Sequence, residues 1–347
     1  MSALEVMAGF AWDRSLTVAA RKRAEPRASA SGLSAKTATT SLQWPGGKTF
    51  AFTIFDDTDS QTLEAGREVY ALLGDLGFRT TKSVWPIAAT GKPSDHGATC
   101  ADPQYLRWVQ SVQREGFEIA YHMATSHTSP REDTARALEA FAGYFGHYPV
   151  SMANHYYCEE NIYFGDHRLT GLNRFLYNML TRFRNHNRFR GHIPGDPLFW
   201  GDLCQAKIKY VRQFVYGDIN TLKACPYMPY HDPARPYVNY YFGATEGADG
   251  ERFIRTLHEA NQEKLEAEGG ACIMYTHFGR GFHANGRLDP RFRALMERLS
   301  RRPGWFVPVS TLLDYIQEKR GRVTLDPAQR RAMERKWLMH KVRYGVA

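Results

Sequence analysis

Apolar and polar positions along this chain switch between two periods. The run Lys48-Thr-Phe-Ala-Phe-Thr-Ile-Phe is apolar, β-branched and aromatic and reads as a strand buried on both faces; it ends in three carboxylates, Asp56, Asp57 and Asp59. From Gln61 to Leu76 the period becomes helical, with Leu63, Val69, Leu72, Leu73 and Leu76 on one stripe and Gly77 as the stop. The unit then repeats. Strands are expected at 79–85, 116–122 and 148–153, with helices at 103–114 and 130–145 between and after them. After a less regular stretch, a helix at 250–267, a strand at 271–276, a helix at 290–301, a strand at 305–307 and a helix at 311–319 continue the pattern.

Strand-then-helix units with short links predict an α/β protein with a parallel sheet, open or closed into a barrel. Between about 156 and 235 the alternation weakens, leaving a helix at 169–185, a strand at 208–216 and many Trp, Tyr, Phe, Arg and His residues. Long aromatic-rich loops in compact domains are more often functional than idle, so this stretch reads as an insertion that builds a substrate cleft. Residues 1–42, rich in Ala, Ser, Thr and basic side chains, read as a flexible arm, and 43–320 as the main domain. The last segment, 321–347, reads as a basic amphipathic helix capped by Asp326-Pro327 and stopped at Gly345. Its Met333, Trp337 and Tyr344 share one side, suited to packing on the domain, pairing with a second subunit, or lying on an anionic membrane surface.

Composition narrows the class. A chain of 347 residues, 43% of them hydrophobic, can bury a large core. A net charge of +9 and a pI near 9.3 favour anionic company. Basic residues alternate with acids and no nucleic-acid-binding module is recognisable, so nucleic acid is not expected as a partner. Five scattered cysteines without CxxC spacing argue against a disulfide framework or a structural zinc knuckle. No apolar run is long enough to span a bilayer, and the basic cluster Arg21-Lys-Arg23 follows rather than precedes the first apolar piece. A cytoplasmic location is therefore expected, with peripheral contact to the inner face of the membrane through the basic C-terminal helix; oligomerisation stays open.

Chemistry concentrates at the strand ends. Asp56 and Asp57, His122, His155 and His277 each stand where a predicted strand finishes, and parallel α/β folds bring such ends to one rim. Adjacent carboxylates there need a compensating charge, and imidazole with carboxylate suits a divalent metal, zinc above all. A metal would lower the pKa of bound water and polarise a carbonyl.

These residues also form motifs. Thr-Ile-Phe-Asp-Asp at 53–57, Gly116-Phe-Glu-Ile-Ala-Tyr-His122 with His127 beyond, and Ile273-Met-Tyr-Thr-His277 resemble, in order and spacing, three motifs of the polysaccharide deacetylase superfamily. The resemblance spans about 43–320. It implies a distorted (β/α)7 barrel, here with the loop-rich insertion and C-terminal basic helix, and metal-dependent removal of an acyl group, usually acetyl, from an amino sugar. It assigns Asp56 as base, Asp57, His122 and His127 as metal ligands, and His277 as the acid that protonates the leaving amine. Two features depart from the pattern. Thr58 and Asp59 replace the glycine after the Asp pair, and His122 and His127 stand five apart rather than four, which makes His155 the alternative ligand.

The expected function is a metallohydrolase of polysaccharide or glycoconjugate metabolism acting on a small or lipid-linked amino-sugar substrate. Asp59, Trp85, Asn154, Trp200, Asp202 and His231 are the expected substrate contacts, with Tyr230 a further stacking candidate. The rival reading is a barrel that has lost catalysis and serves as a binding or assembly component of polysaccharide synthesis, favoured by the irregular histidine spacing and by Thr58.

Overall fold

The computed structural model describes residues 42–284 and 286–347; the arm expected over 1–42 lies outside this range except for its last residue. Seven strands form the centre: β1 (Phe50–Asp56), β2 (Thr81–Val84), β3 (Glu118–Tyr121), β4 (Ser151–Ala153), β5 (Tyr210–Tyr216), β6 (Tyr240–Glu246) and β7 (Ala271–Thr276). Each pairs in parallel with the next. β7 pairs again with β1, from Ala51 opposite Ala271 to Asp56 opposite Thr276. The sheet is thus a closed seven-stranded parallel barrel, and closure removes the edges that an open sheet would expose. Nearly every residue of these strands is buried, because the barrel interior covers one face and helices the other.

The outer layer comprises α1 (Leu63–Asp75), α2 (Pro103–Arg114), α3 (Arg131–Phe145), α4 (Gly171–Leu180), α5 (Gly201–Lys207), α6 (Thr221–Ala224), α7 (Gly250–Thr256), α8 (Glu259–Ala267), α9 (Pro290–Ser300), α10 (Val309–Arg320) and α11 (Pro327–Tyr344). Their starts follow local chemistry. Asp102, Asp289 and Asp326 each accept from the first turn of a helix that opens with proline.

Several expected boundaries shift. The strand β6 was not expected; its Tyr-Tyr-Phe-Gly-Ala-Thr-Glu run has aromatic strand character, but Gly243 interrupts it. The glycine is required, since a Cβ there would stand 2.9 Å from the Cβ of Cys225. The helix expected over 250–267 is divided at Leu257–His258, where His258 is extended with ψ 161°. The helix expected over 169–185 ends at Leu180. Gly304–Trp305 pairs with β1 outside the ring. The stretch read as an insertion contributes β5 to the barrel itself.

The final helix packs against the body. Trp337 is fully buried, 5.2 Å from Phe214 of β5 and 5.7 Å from Tyr177 of α4 between ring centroids, with the Arg168 guanidinium 4.4 Å from its ring. Glu334, also buried, accepts from the Thr170 and Asn173 side chains.

One buried ion pair joins β1 to β2, and its acid also reaches a helix. Lys82 Nζ lies 3.3 Å from Asp56 Oδ2, and both side chains are inaccessible to water. Asp56 also accepts from Tyr70 Oη of α1 at 3.1 Å and from the Phe278 amide at 2.9 Å. Removing one member strands the other charge. Lys82→Met is therefore expected to lower unfolding free energy by about 3–5 kcal/mol in urea titration, while Asp56→Asn combined with Lys82→Met recovers a large part of that loss.

Candidate metal centre

Alternation along β1 decides which acids reach the barrel mouth. Side chains of an extended chain point to opposite faces in turn. Asp56 faces the helices, as its contacts with Tyr70 and Lys82 require, and Thr58 does likewise, its hydroxyl 3.2 Å from Tyr105 Oη of α2. Asp57 and Asp59 take the other side. There Asp57 meets Arg212 of β5 in a two-pronged pair, Nη1 to Oδ1 at 2.8 Å and Nη2 to Oδ2 at 2.6 Å. Arg212 also stacks over Phe55 and Tyr275, with its guanidinium carbon 5.2 Å and 4.3 Å from the ring centroids.

A turn then carries Asp59 over the rim. The Gln61 amide donates to the Thr58 carbonyl at 3.1 Å, and Ser60 takes φ 58° in the left-handed region. The loop after β7 presses onto that turn at Gly279, where a Cβ would lie 2.3 Å from the Ser60 carbonyl carbon.

Asp59 is the centre of the cluster. His122 Nε2 stands 3.0 Å from Oδ1, His155 Nε2 3.5 Å from Oδ1, and His277 Nε2 3.1 Å from Oδ2; Arg280 Nη2 is 3.3 Å from Oδ2. His122, His155, His277 and Asp59 are each at most 5% exposed as whole residues. The opposite ring nitrogens determine what faces the acid. His122 Nδ1 is 3.1 Å from the Ala153 carbonyl and His277 Nδ1 is 2.6 Å from the Ala248 carbonyl, so each must donate its proton there. Cys158 has the His127 and Thr125 carbonyls for its thiol hydrogen, which leaves its sulfur to accept from His155 Nδ1 at 3.4 Å. In neutral imidazoles the three Nε2 lone pairs then point at a carboxylate that is itself only an acceptor.

Such a contact is stable only with positive charge inside it, either protons on the rings or a cation. His155 favours the cation: burial pushes its pKa down to about 4, so it is uncharged at neutral pH, and its Nε2 has no hydrogen-bond partner among the described residues. Burial works to raise the Asp59 carboxyl, but the contact with His122 and the hydrogen bonds of His122 and His277 outweigh it and hold it well below the usual range. Asp59 Oδ and the free nitrogens of His122 and His155 all lie within 4.8 Å of one another, a compact N, N, O set suited to one divalent ion with coordination positions left open.

This group differs from the expected ligand set at Asp57 and takes the alternative His155 rather than His127. Asp57 lies beside the cluster, 3.9 Å from His122 Nε2, but both its oxygens are taken by Arg212, and Asp59, expected as a substrate contact, is the acid of the candidate metal group. His127 lies in the loop after β3 and outside the group, whose second imidazole is that of His155, the alternative ligand. Asp56, expected as the base, is turned to the helix layer by strand parity. His277 sits against Asp59, with Tyr275 Oη 3.4 Å from its Nε2.

Of the expected substrate contacts, Trp85 alone walls the cluster, its ring centroid 6.3 Å from His122 and 5.5 Å from His155. Asn154 instead clamps Ile162, accepting from its amide and donating to its carbonyl. Trp200 is fully buried and donates to the Glu160 carbonyl; Asp202 pairs with Arg131 at the surface; His231 Nδ1 donates to the Asn239 carbonyl; and Tyr230 is buried against Gln213.

Three participants were not anticipated. Arg212 has a signal in the sequence, a lone charge inside an otherwise apolar strand. Arg280, which joins Asp59 to Asp95 and Ser60, has none beyond following His277 by three residues. Glu160 is fully buried beneath the His155 loop with neither oxygen hydrogen-bonded among the described residues, and burial raises its pKa to about 8.

No family model and no curated relative matches the chain. Among solved structures, the chain is similar to a protein described as a polysaccharide deacetylase from Mycobacterium smegmatis, at 14% identity over 82% of this chain and 96% of that one, with a TM-score of 0.46. It is similar at the same identity and TM-score to the PuuE allantoinase, over 80% and 93%. A peptidoglycan N-acetylglucosamine deacetylase aligns at 13% identity over 78% and 90%, with a TM-score of 0.36.

Two outcomes are expected from this geometry. After dialysis against zinc, elemental analysis should find about one ion per chain in the wild type and in His127→Ala, and at least about tenfold less in Asp59→Ala and His155→Ala. For Glu160 the folded pKa lies above its ordinary 4.5, so the native state holds the extra proton and stability falls as pH rises through this window. Urea titrations of Glu160→Gln should show the difference from wild type moving in the variant's favour by up to about 1.4 kcal/mol per pH unit between pH 5 and 8.

Proposed function

We propose that the protein is a metal-dependent hydrolase that removes an N-acetyl group from an amino-sugar substrate. The observation that carries this reading is the convergence of three imidazole Nε2 atoms on Asp59 at the carboxyl rim of a closed parallel barrel, where such folds place their chemistry. His122, His155 and Asp59 would hold the ion, most suitably zinc. When bound, it supplies Lewis acidity toward an amide carbonyl and a lowered pKa for an attacking water.

The chain's own groups account for the proton steps. Asp57 borders the ligand group, and although burial alone would raise its pKa, Arg212 lowers it, so it is ionised at neutral pH and able to take a proton from the attacking water. Arg212 orients that carboxylate through both of its oxygens. His277 stands on the other side of Asp59. Burial opposes its protonation, yet its hydrogen bond and charge contact with Asp59 raise its pKa, which suits donation of a proton to the departing amine. Trp85 closes one side of the cluster with an apolar wall and limits water there. The amino-sugar class rests on the resemblance of the Thr53–Asp57, Gly116–His122 and Ile273–His277 segments to deacetylase motifs.

Acetate release should be measured from N-acetylated nucleotide sugars, lipid-linked sugars and oligosaccharides. Activity should vanish with a chelator and return with zinc or cobalt. Asp57→Asn and His277→Ala should each lower kcat by about 10² or more while retaining the metal. Acetate release untouched by chelation and by Asp59→Ala would remove the metal from the reaction. A fully zinc-loaded protein that deacetylates none of these substrates would favour a binding role.

A further inference from the structure

The amphipathic sense of α4 is reversed. Its inward side is polar: Asn173, Tyr177 and Asn178 are the buried residues. Asn173 Nδ2 donates to Glu334 Oε2 at 2.9 Å and to the Arg331 carbonyl at 3.2 Å, and Asn178 Nδ2 donates to Asp166 Oδ2 at 3.2 Å. Its outward side carries Leu172, Phe175, Leu176, Met179 and Leu180, each between 44% and 70% exposed. Phe183 extends this face at 52% exposure, presented by a turn in which Arg182 and Phe183 take φ of 51° and 57°. Left-handed geometry is costly for such residues, and hydrogen bonds hold it here from the Arg182 amide to the Met179 carbonyl and from the Phe183 amide to the Asn178 carbonyl. Helices on water-soluble domains turn their apolar stripe inward, so a face built this way is matched to a medium other than water.

Charge identifies the medium. Arg182 and Arg184 flank Phe183 and are exposed, and α11, packed beside α4, exposes Arg331, Arg335 and Arg343. Among the described residues none of these five arginines is in a salt bridge, whereas the less exposed neighbours Arg174 and Arg330 are paired with Asp166 and Asp232. Met339 and Val342 of α11 are exposed as well, at 62% and 57%. A second copy docking through the same face would bring two arginine rims together, which Coulomb repulsion disfavours. Leu, Phe and Met side chains on a convex helix, with arginines around them, match the boundary between headgroups and acyl chains of an anionic bilayer. No described helix is long and apolar enough to cross a membrane, so the contact would be peripheral.

We propose that α4, its Phe183 turn and the adjoining arginines of α11 form a peripheral docking face for an anionic lipid surface. This moves the membrane contact from the C-terminal helix alone to α4, with α11 as a basic flank. The face adjoins the metal cluster: Asn185 Oδ1 accepts from Tyr156 Oη at 3.2 Å, and Tyr156 follows His155. Docking does not depend on the hydrolase reading, because no residue of the face is a ligand or a proton carrier there.

The full chain should be floated with vesicles of phosphatidylcholine alone and with about one third phosphatidylglycerol. Wild type is expected on the anionic vesicles and not on the neutral ones. The triple variant Leu176→Gln, Met179→Gln, Phe183→Ser and the double variant Arg182→Glu, Arg184→Glu should each bind at least about tenfold more weakly. Both keep residues 1–41 intact, so a loss reports on this face, and zinc content with circular dichroism confirms the fold. Equal binding by wild type and triple variant, or no binding of wild type to anionic vesicles, overturns the proposal. A wild-type dimer by light scattering that the triple variant converts to monomer also overturns it, in favour of a second copy.

Discussion

Two successive residues of a strand cannot face the same way, and the architecture of the rim follows from that constraint at residues 56 to 59. Asp56 and Thr58 turn outward, where Lys82, Tyr70 and Tyr105 join β1 and the turn that follows it to β2, α1 and α2. Asp57 and Asp59 turn inward, where Arg212 receives the first and histidines surround the second. A shift of one residue would exchange the two sets, and in either direction a hydroxyl side chain, Thr58 or Ser60, would replace the carboxylate among the histidines. The outward pair therefore does more than add stability: it sets the phase that delivers Asp59 to the mouth of the barrel.

The inward cluster is preorganised by backbone more than by side chains. The carbonyls of Ala153, the last residue of β4, and Ala248, two residues beyond β6, take the Nδ1 protons of His122 and His277 and thereby orient the opposite nitrogens. A ring held this way by a rigid sheet loses little conformational freedom on binding an ion. Arg212 has the same relation to Asp57, and its stacking on Phe55 and Tyr275 keeps a large cation inside the barrel without exposure. Arg212 thus balances Asp57, whereas Asp59 sits among imidazoles, giving two carboxylates in neighbouring but different environments.

On the outside, α4 and α11 form one unit through Glu334, Asn173, Tyr177 and Trp337. Because polar groups make that junction, α4 is free to keep its apolar residues outward without losing its hold on the body. The loop beyond it meets Tyr156 through Asn185, and Tyr156 is the next residue after His155 of the candidate metal group.

Much of this was legible from residue order alone. Apolar runs that finish on Asp56-Asp57, His122 and Ala153, and the run ending on His277, placed the strand ends that make the rim, and the motif resemblance implied the seven-stranded barrel. Those features are local, and local chemistry determines them. What the linear pattern could not settle was which of Asp57 and Asp59, or of His127 and His155, belongs to the ligand group. The Ser60 turn, the extra residue before His127 and the bulge after Arg212 each reset the direction of a side chain. The reversed face of α4 escaped for a similar reason: an apolar stripe looks the same whether it meets a core or faces out, and only the packing of Asn173, Tyr177 and Asn178 against the body decided that it faces out. Sequence determined where chemistry is carried, whereas tertiary structure decided which groups meet, because a meeting depends on distances between segments that share no local interaction.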